Sequence, residues 1–518
     1  MAERAQPITS GSGLGAAALV AALILGALLA VALRAESGRG MGASDWAAVR
    51  FTAGQAALSA LFSVALAVPL ARALARRRFM GRRLLIALLG APFILPVIVA
   101  VLGLLAVFGR NGWISMALGW VGLPPVSIYG LHGVVVAHVF FNLPLATRLI
   151  LQGWQEIPAE RFRLAAQLGA GSRAIWRLLE WPMLLRIVPS VLAVIFAICL
   201  TSFAVALTLG GGPKATTIEL AIYQAFRFDF DLARAAMLSC VQIVLTGCAA
   251  LIALRAAQGE GFGSGLDRPV QRWDANSTGA RLMDGGIIGT VTLFLLMPLA
   301  AIVMAGVPGL ALLPGSVFVA TMNSLLVAVL STGATLALAI PMAIAVALGR
   351  ARLVELAGLL GLAASPLVIG TGLFVILYPL ADPFALALPV TALVNAVMAL
   401  PFALRILVPR ARQVVTRYGP LALSLDMAGG PFLRRVLLPR MRAQIGFAAG
   451  LSAALSMGDL GVIALFADPE RATLPLQVYR LMGAYQMQAA AGAALLLLML
   501  SMALFWSLDR GGRWHAEA

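Results

Sequence analysis

The sequence predicts an all-α polytopic membrane protein of about 12 transmembrane helices, arranged as two parallel six-helix repeats. Three observations support this fold class. The chain of 518 residues is 61% hydrophobic and only 11% charged, which is far from the usage of soluble domains. Apolar runs long enough to cross a hydrocarbon core recur along it, and short motifs of the first half return in the second. The net charge of +17 comes from arginines in particular loops, which membrane topology explains better than binding to nucleic acid.

Each predicted span is an apolar run of about 18 residues or more. The first six runs lie near 14–33, 51–71, 84–108, 130–151, 187–209 and 232–254. The second six lie near 285–306, 324–348, 356–377, 388–408, 445–466 and 489–508. A cleaved signal peptide is the alternative for the first run, but its length of about 20 residues favours an uncleaved span.

The polar stretch 256–281 between the two sets of spans is rich in glycine and charged residues. It predicts a flexible linker between a first half, 1–255, and a second half, 282–518. Arginines follow every even-numbered span; after span two, six of them lie between residues 72 and 83. Because short cytoplasmic loops hold Lys and Arg, the linker and both termini are predicted to be cytoplasmic.

Motifs at matched places indicate that the two halves are repeats. "ALAVP" ending at Pro69 returns as "ALAIP" ending at Pro341, and "NLPLATRLIL" around Pro144 matches "ALPFALRILV" around Pro401. With six spans per half, both copies start on the same side of the membrane, which makes the repeats parallel. A substrate path is therefore expected at the interface between the halves.

Two cytoplasmic loops, 155–185 and 410–442, contain similar polar stretches: "RLAAQLGAGSRAIWRLLEWP" and "PLALSLDMAGGPFLRRVLLP". Each predicts a short helix, a turn, and a second helix running into a proline that starts the next span, where a missing N–H costs little. An amphipathic helix lying along lipid headgroups is the alternative. Two copies at matched positions, with the small residues Ala165 and Ala166, favour docking elements for another protein.

The spacing of these loops resembles the "EAA" loop of bacterial ABC importer permeases, in which Glu-Ala-Ala, a glycine and a later Leu-Pro form a coupling helix that inserts into an ATPase subunit. The resemblance places Ala165 at one alanine, Gly169 at the glycine and Pro182 at the proline. Arg163 stands at the glutamate, and in the second loop Asp426 stands at the glycine. The implied ATPase-coupling residues are Ala165, Ala166, Gly169 and Pro182 in the first loop and Leu421, Ala422, Asp426 and Pro439 in the second.

Longer stretches extend the resemblance over nearly the whole chain: "FFNLPLATRLILQGW", "TLGGGPKATTIELAIYQAF" and "LSMGDLGVIALF". They resemble the fused, twelve-span permeases of thiamine and thiamine pyrophosphate importers more closely than the fused iron(III) permeases. This implies an inner-membrane permease that translocates thiamine and its phosphates, with a periplasmic substrate-binding protein and two copies of an ABC ATPase as partners. Iron(III) or another small solute is the alternative cargo, and a secondary transporter is the alternative mechanism.

The residue chemistry predicts a transport subunit without catalytic residues. The one lysine, Lys214, is not followed by Ser or Thr as in a phosphate-binding loop, so ATP is expected on the partner and no cofactor on this chain. The three cysteines lie in apolar runs with no spacing that suits a metal. His132 and His138 lie six residues apart on span four, which favours packed or hydrogen-bonded histidines over metal ligands.

A translocation path is predicted from polar residues in apolar surroundings. Asp459 lies within predicted span eleven, where an ionisable group either attracts a cationic substrate or pairs within the bundle. Glu219 and Tyr223 follow span five, and Tyr479 and Tyr485 follow span eleven at equivalent places. These outer segments are candidates for the path or for receiving a periplasmic binding protein, with solvated loop charge as the alternative.

Overall fold

The computed structural model describes residues 10–35, 40–90, 94–212, 215–256, 272–274, 276–349, 352–466 and 470–514. Within these ranges the protein is helical and contains no β-strand. Eleven helices of this described part are long and apolar enough to cross a membrane, and the number rises to 12 if one sharply bent helix pair counts as a single span. The predicted all-α polytopic fold is confirmed. Lys214, Asp468 and linker residues 257–271 lie outside the described part of the chain.

The described residues of the first half form twelve α-helices, some of which are short pieces of one predicted span. They are α1 (Gly11–Arg34), α2 (Ala43–Arg76), α3 (Arg82–Leu88), α4 (Val97–Phe108), α5 (Trp113–Trp120), α6 (Leu131–Glu156), α7 (Ala159–Gln167), α8 (Ser172–Ile175), α9 (Trp181–Leu200), α10 (Phe203–Leu209), α11 (Ile218–Arg227) and α12 (Leu232–Ala256).

The second half repeats this order, except that its described residues include no counterpart of α5 and its tenth predicted span continues into the cytoplasmic loop as one helix. Its helices are α13 (Thr278–Gly309), α14 (Gly315–Ala347), α15 (Arg352–Ala363), α16 (Pro366–Leu377), α17 (Ala387–Ser424), α18 (Gly430–Phe432), α19 (Leu438–Met457), α20 (Gly461–Phe466), α21 (Leu474–Gly483) and α22 (Met487–Arg513).

The continuous helices predicted for spans five and eleven are wrong in the same way in both halves. α9 ends at Leu200 and α10 begins at Phe203, while α19 ends at Met457 and α20 begins at Gly461. Each break contains a polar residue whose side chain makes a hydrogen bond of its own, Ser202 in the first half and the predicted path residue Asp459 in the second. Such side chains compete with helical hydrogen bonding.

Spans three and nine are also divided rather than straight. Pro96 precedes α4 in an extended conformation and separates it from α3. In the second half, α15 and α16 meet at an angle of 94°. The Ser365 hydroxyl accepts a hydrogen bond from the N–H of Leu367 at 3.2 Å, and Pro366 occupies the first helical position, so α16 starts afresh at the bend.

The two halves interlock through reciprocal contacts of their first helices. α1 packs against α14, α15 and α16, and α13 packs against α2 and α4. At Gly372 of α16 a Cβ would overlap the carbonyl oxygen of Ala27 in α1, and at Gly103 of α4 a Cβ would overlap that of Pro298 in α13. Close approach of helix backbones in a membrane requires such small residues. Each half is thus closely packed against the first helix of the other half.

Candidate functional site

The first predicted coupling loop is a helix, a tight turn and a second helix that leads into α9. Gly169 follows α7 with a φ of +65°, in the left-handed region that glycine adopts without strain. Its N–H donates to the carbonyl of Ala166 at 3.1 Å, and the N–H of Ala170 donates to the carbonyl of Ala165 at 2.9 Å. These bonds satisfy carbonyls at the end of α7. α8 and a five-residue π-helical turn then lead to Pro182 in the first turn of α9.

The second predicted coupling loop repeats this geometry. Asp426 has a φ of +51°, its N–H donates to the carbonyl of Leu423 at 3.1 Å, and the N–H of Met427 donates to the carbonyl of Ala422 at 2.8 Å. α18 and another five-residue π-helical turn lead to Pro439 in the first turn of α19. The structure therefore places the aspartate in the same turn position as the glycine of the first loop.

The tips of the two loops differ in charge, but each exposes a leucine side chain. A Cβ on Gly169 would meet no atom within 4 Å. The Asp426 carboxylate makes no hydrogen bond within the described part of the chain, so it does not cap its own turn there. Leu168 and Leu425, each directly before the left-handed residue, are 75% and 65% exposed.

The predicted coupling residues do not all reach the surface. Three of them are less exposed than the residues at the tips of the loops. The exposed coupling residues are Ala166, Gly169, Pro182, Leu421 and Asp426. The half-buried ones are Ala165 and Pro439, and the buried one is Ala422.

A buried ion-pair cluster, which the sequence analysis missed, lies beneath the first loop. The Glu180 carboxylate is fully buried. Its Oε2 accepts a hydrogen bond from Nε of Arg72 at 2.8 Å, and its Oε1 accepts from Nη1 of Arg272 at 2.7 Å and from the indole N–H of Trp154 at 3.1 Å. Full pairing is what makes a carboxylate tolerable away from water. The available signal was an isolated acid in "LLEWP", directly before an apolar span.

Linker residues 272–274 contact this cluster, whereas linker residues 257–271 lie outside the described part of the chain, so the flexible linker stays a prediction. Nε and Nη2 of Arg272 donate to the two carboxylate oxygens of Asp274 at 2.7 and 2.8 Å. Burial alone would raise the pKa of Asp274, but its hydrogen bonds and its charge interaction with Arg272 outweigh burial and lower that pKa below the ordinary value. The pair is therefore charged at neutral pH.

Asp459 lies where the break between α19 and α20 meets the first half. Its Oδ1 accepts a hydrogen bond from the N–H of Gly461 at 3.2 Å, whereas Oδ2 is buried and has no hydrogen-bond partner among the described residues. A Cβ on Gly461 would lie 4.0 Å from the Phe203 ring, and a Cβ on Gly458 would lie 3.1 Å from Pro96. The unsatisfied carboxylate oxygen is thus near the interface between the halves.

Glu219 and Tyr223 are more buried than the solvated-loop interpretation allows, whereas Tyr479 is half-buried and Tyr485 is 92% exposed. Glu219 is 1% exposed and accepts a hydrogen bond from Gln242 at 3.2 Å, and Tyr223 is 8% exposed. The Tyr223 ring lies 5.3 Å from that of Phe203. Burial, and then the neighbouring Tyr223 phenol, raise the pKa of Tyr479. The Tyr223 and Tyr479 phenols are thus close enough to interact electrostatically, and Phe203 connects Tyr223 to the neighbourhood of Asp459.

The histidines behave as hydrogen-bonded residues. His138 contacts the hydroxyls of Ser59 at 3.1 Å and Ser202 at 2.7 Å, at the break equivalent to that of Asp459. His132 contacts the carbonyl of Ser127. Among the described residues, no group of three or more His, Cys, Asp or Glu side chains could hold a metal ion.

Comparison with known proteins gives relatives over almost the whole chain. No protein-family profile matches it. It is 40% identical over 539 residues to the thiamine transport system permease protein ThiP of Salmonella typhimurium, covering 100% of each chain. It is 39% identical to ThiP of Escherichia coli over 98% of each chain, and 39% identical to ThiP of Brucella abortus over 99% of this chain and 96% of the relative.

Proposed function

The chain belongs to the family of thiamine transport system permease proteins, and on that premise we propose that it forms the membrane path of a thiamine importer driven by a separate ABC ATPase. The observation that carries the proposal is the full-length identity of about 40% to relatives that bear this name. The twofold repeat of the helices fits it, because a parallel repeat provides one path between two halves. Phosphorylated thiamine is included in the proposed cargo.

The ATPase is proposed to dock on the two cytoplasmic loops. Both loops present a left-handed turn at the end of a helix and an exposed leucine directly before it, Leu168 and Leu425. Exposed apolar groups at repeated positions suit a partner that is itself present twice. Since the chain has no Gly-Lys-Ser/Thr motif, ATP is proposed to be bound and hydrolysed on that partner.

The opposite face is proposed to receive a periplasmic substrate-binding protein. Phe230, between α11 and α12, and Tyr485, between α21 and α22, are 78% and 92% exposed. Both have a positive φ, +51° and +59°, which is unusual for bulky residues and points to a specific use. Because the arginine-rich loops are assigned to the cytoplasm, this opposite face is assigned to the periplasmic side of the bacterial inner membrane.

The proposed path for thiamine runs between the halves past Asp459. Thiamine combines a permanently charged thiazolium ring with an aromatic pyrimidine, so it suits a carboxylate beside aromatic faces. Oδ2 of Asp459 has no partner among the described residues, and Phe203, whose ring lies 5.3 Å from that of Tyr223, comes close to Gly461 beside it. We assign Tyr223 and Tyr479 to the outer part of this proposed path. Glu219 is buried in the same outer region.

Reconstitution into proteoliposomes tests the proposal. The purified permease, its copurified ATPase and a thiamine-loaded binding protein are expected to accumulate labelled thiamine only when ATP is supplied. Omission of ATP, or replacement of thiamine by iron(III), gives the controls. Thiamine uptake driven by an ion gradient without an ATPase would favour a secondary transporter, and iron uptake without thiamine uptake would favour the other cargo.

A further inference from the structure

We propose that linker residues Arg272–Asp274 are a working part of the first coupling loop, and that Glu180 is the positioning residue that makes this loop, α2, α6 and the linker move as one unit. The inference rests on the proposed function, because it concerns how that loop transmits movement from the ATPase. In this proposal the linker transmits movement of the loop as well as joining the halves.

Glu180 connects elements that are distant in sequence. It lies at the end of the π-helical turn that carries the loop into α9. The same carboxylate binds Arg72 near the end of α2, Trp154 near the end of α6 and Arg272 of the linker, all at 2.7 to 3.1 Å. A displacement of the loop must carry these three elements along or break several bonds to one buried charge.

The linker holds the loop on both sides of its turn. The Arg272 guanidinium lies 4.6 Å from the centre of the Phe162 ring in α7, and Phe162 is 2% exposed. Asp274 accepts a hydrogen bond from the Ser172 hydroxyl, at the first position of α8, at 2.9 Å. The linker therefore bridges the helices before and after Gly169.

A second pair of bonds joins the same region to the second half. Asp284, in the first turns of α13, accepts hydrogen bonds from Arg76 and Arg77 at 2.6 Å each, and its side chain is 1% exposed. Arg76 and Arg77 lie at the cytoplasmic end of α2, next to Arg72. Movement of the first loop is thus coupled to the start of the second half.

The described residues around the second loop include no ion-pair cluster equivalent to that around Glu180. Leu437 stands two residues before Pro439, as Glu180 stands before Pro182, and it is fully buried. Ile344 and Ala411 occupy the places that correspond to Arg72 and Trp154, and both are buried. Apolar packing therefore replaces the ion pairs. Buried ion pairs thus connect the first loop to neighbouring elements, whereas apolar packing alone does so at the corresponding positions of the second loop.

Crosslinking tests whether linker and loop move together. Arg173→Cys and Trp273→Cys put exposed thiols beside Ser172 and Asp274, in a background from which Cys240 and Cys248 have been removed. A short bifunctional thiol reagent should join them, and the joined protein should import thiamine as fast as the two single-cysteine variants treated in the same way. Failure to crosslink, or loss of uptake on crosslinking, would overturn the proposal.

Substitution tests the positioning role. Arg272→Met and Asp274→Asn are expected to lower thiamine uptake per ATP hydrolysed by about tenfold or more, because each removes an ion pair from a buried charged cluster. Arg281→Met, a nearby exposed arginine, is the control and should leave this ratio unchanged. A normal ratio in both variants would contradict the positioning role.

A third variant separates positioning from packing. Combining Arg72→Ile, Glu180→Leu, Arg272→Met and Asp274→Asn removes all four charges of the cluster and approaches the apolar arrangement of the second half, so the protein should reach the membrane in normal amount while its uptake per ATP stays low. Recovery of a normal ratio would show that the cluster only fills space. If the wild-type protein shows no ATP-dependent thiamine uptake at all, the proposed function fails rather than this inference.

Discussion

The tips of the two proposed coupling loops share one backbone conformation but differ in the residue that adopts it. Gly169 and Asp426 have φ angles of +65° and +51°, so the turn itself does not require glycine. Aspartate tolerates this conformation better than most residues. What differs is the presence of a side chain and a charge, and the Asp426 carboxylate has no hydrogen-bond partner within the described residues. A cation on the ATPase is the partner we propose for it.

Exchanging the tip residues should therefore have unequal effects. Gly169→Asp is expected to uncouple ATP hydrolysis from thiamine uptake, because a charged side chain enters a surface that the ATPase approaches closely. Asp426→Gly should weaken docking of the ATPase by about 1 kcal/mol or less, which is the range of one exposed ion pair. Stimulated ATPase activity and uptake in vesicles measure both. Gly171→Asp, which adds the same charge at the N-cap of α8, is the control. Equal and severe losses in both loops would show that the tips are functionally symmetric.

Asp459→Asn should lower thiamine uptake while leaving the amount of permease in the membrane and its assembly with the ATPase unchanged. The amide keeps the size of the side chain but removes the charge that the proposed path offers to the thiazolium ring. Asp509→Asn, at an exposed pair with Arg513 on α22, is the matched control. Loss of the Asp459→Asn variant from the membrane would instead make Asp459 a partner within the bundle.

At the scale of helices, hydropathy predicted the spans and the shared prolines predicted which loops correspond. The breaks at Ser202 and Asp459 were not predictable, because each has apolar sequence on both sides and one polar residue does not by itself indicate that a helix is interrupted. The same applies to the linker: its composition is that of a flexible chain, and only the distant partners Glu180 and Ser172 hold Arg272 and Asp274 in place. Composition carries no information about such pairing.

Gly372→Ala and Gly103→Ala should each destabilise the protein, because the added Cβ overlaps a carbonyl oxygen of the other half's first helix. Overpacking of this kind costs about 1–3 kcal/mol. Gly333→Ala in α14 and Gly289→Ala in α13 are the controls, since a Cβ there meets no atom within 4 Å. The midpoint of thermal unfolding in detergent should fall for the first pair only. Equal midpoints for all four variants would contradict the close approach.

At the scale of the whole molecule, the interlocked halves and the clamped linker imply that movement in one half is transmitted to the other. α1 lies against the second half, α13 lies against the first, and Asp284 joins α13 to the end of α2. We propose that rocking of the halves about the proposed path is accommodated where the helices are already interrupted. Those places are the breaks beside Ser202 and Asp459 and the bend before α16.

This arrangement depends on the orientation of the chain, which thiol labelling can determine. Gln167→Cys and Ser424→Cys lie on the exposed loops that we place in the cytoplasm, whereas Phe230→Cys and Tyr485→Cys lie on the opposite, outer face. Cytoplasmic loops hold the arginines, so a membrane-impermeant thiol reagent added to intact cells should label the second pair and not the first. Cys248 is replaced beforehand because it is exposed.

Inverted vesicles provide the control for this labelling, because they present the cytoplasmic face to the same reagent. The pattern should then reverse, with Gln167→Cys and Ser424→Cys labelled and Phe230→Cys and Tyr485→Cys protected. Both loops must behave alike, since a parallel repeat with six spans per half returns equivalent loops to the same side. Labelling of Gln167→Cys in intact cells would overturn the orientation, and labelling of only one loop from each side would contradict the parallel repeat.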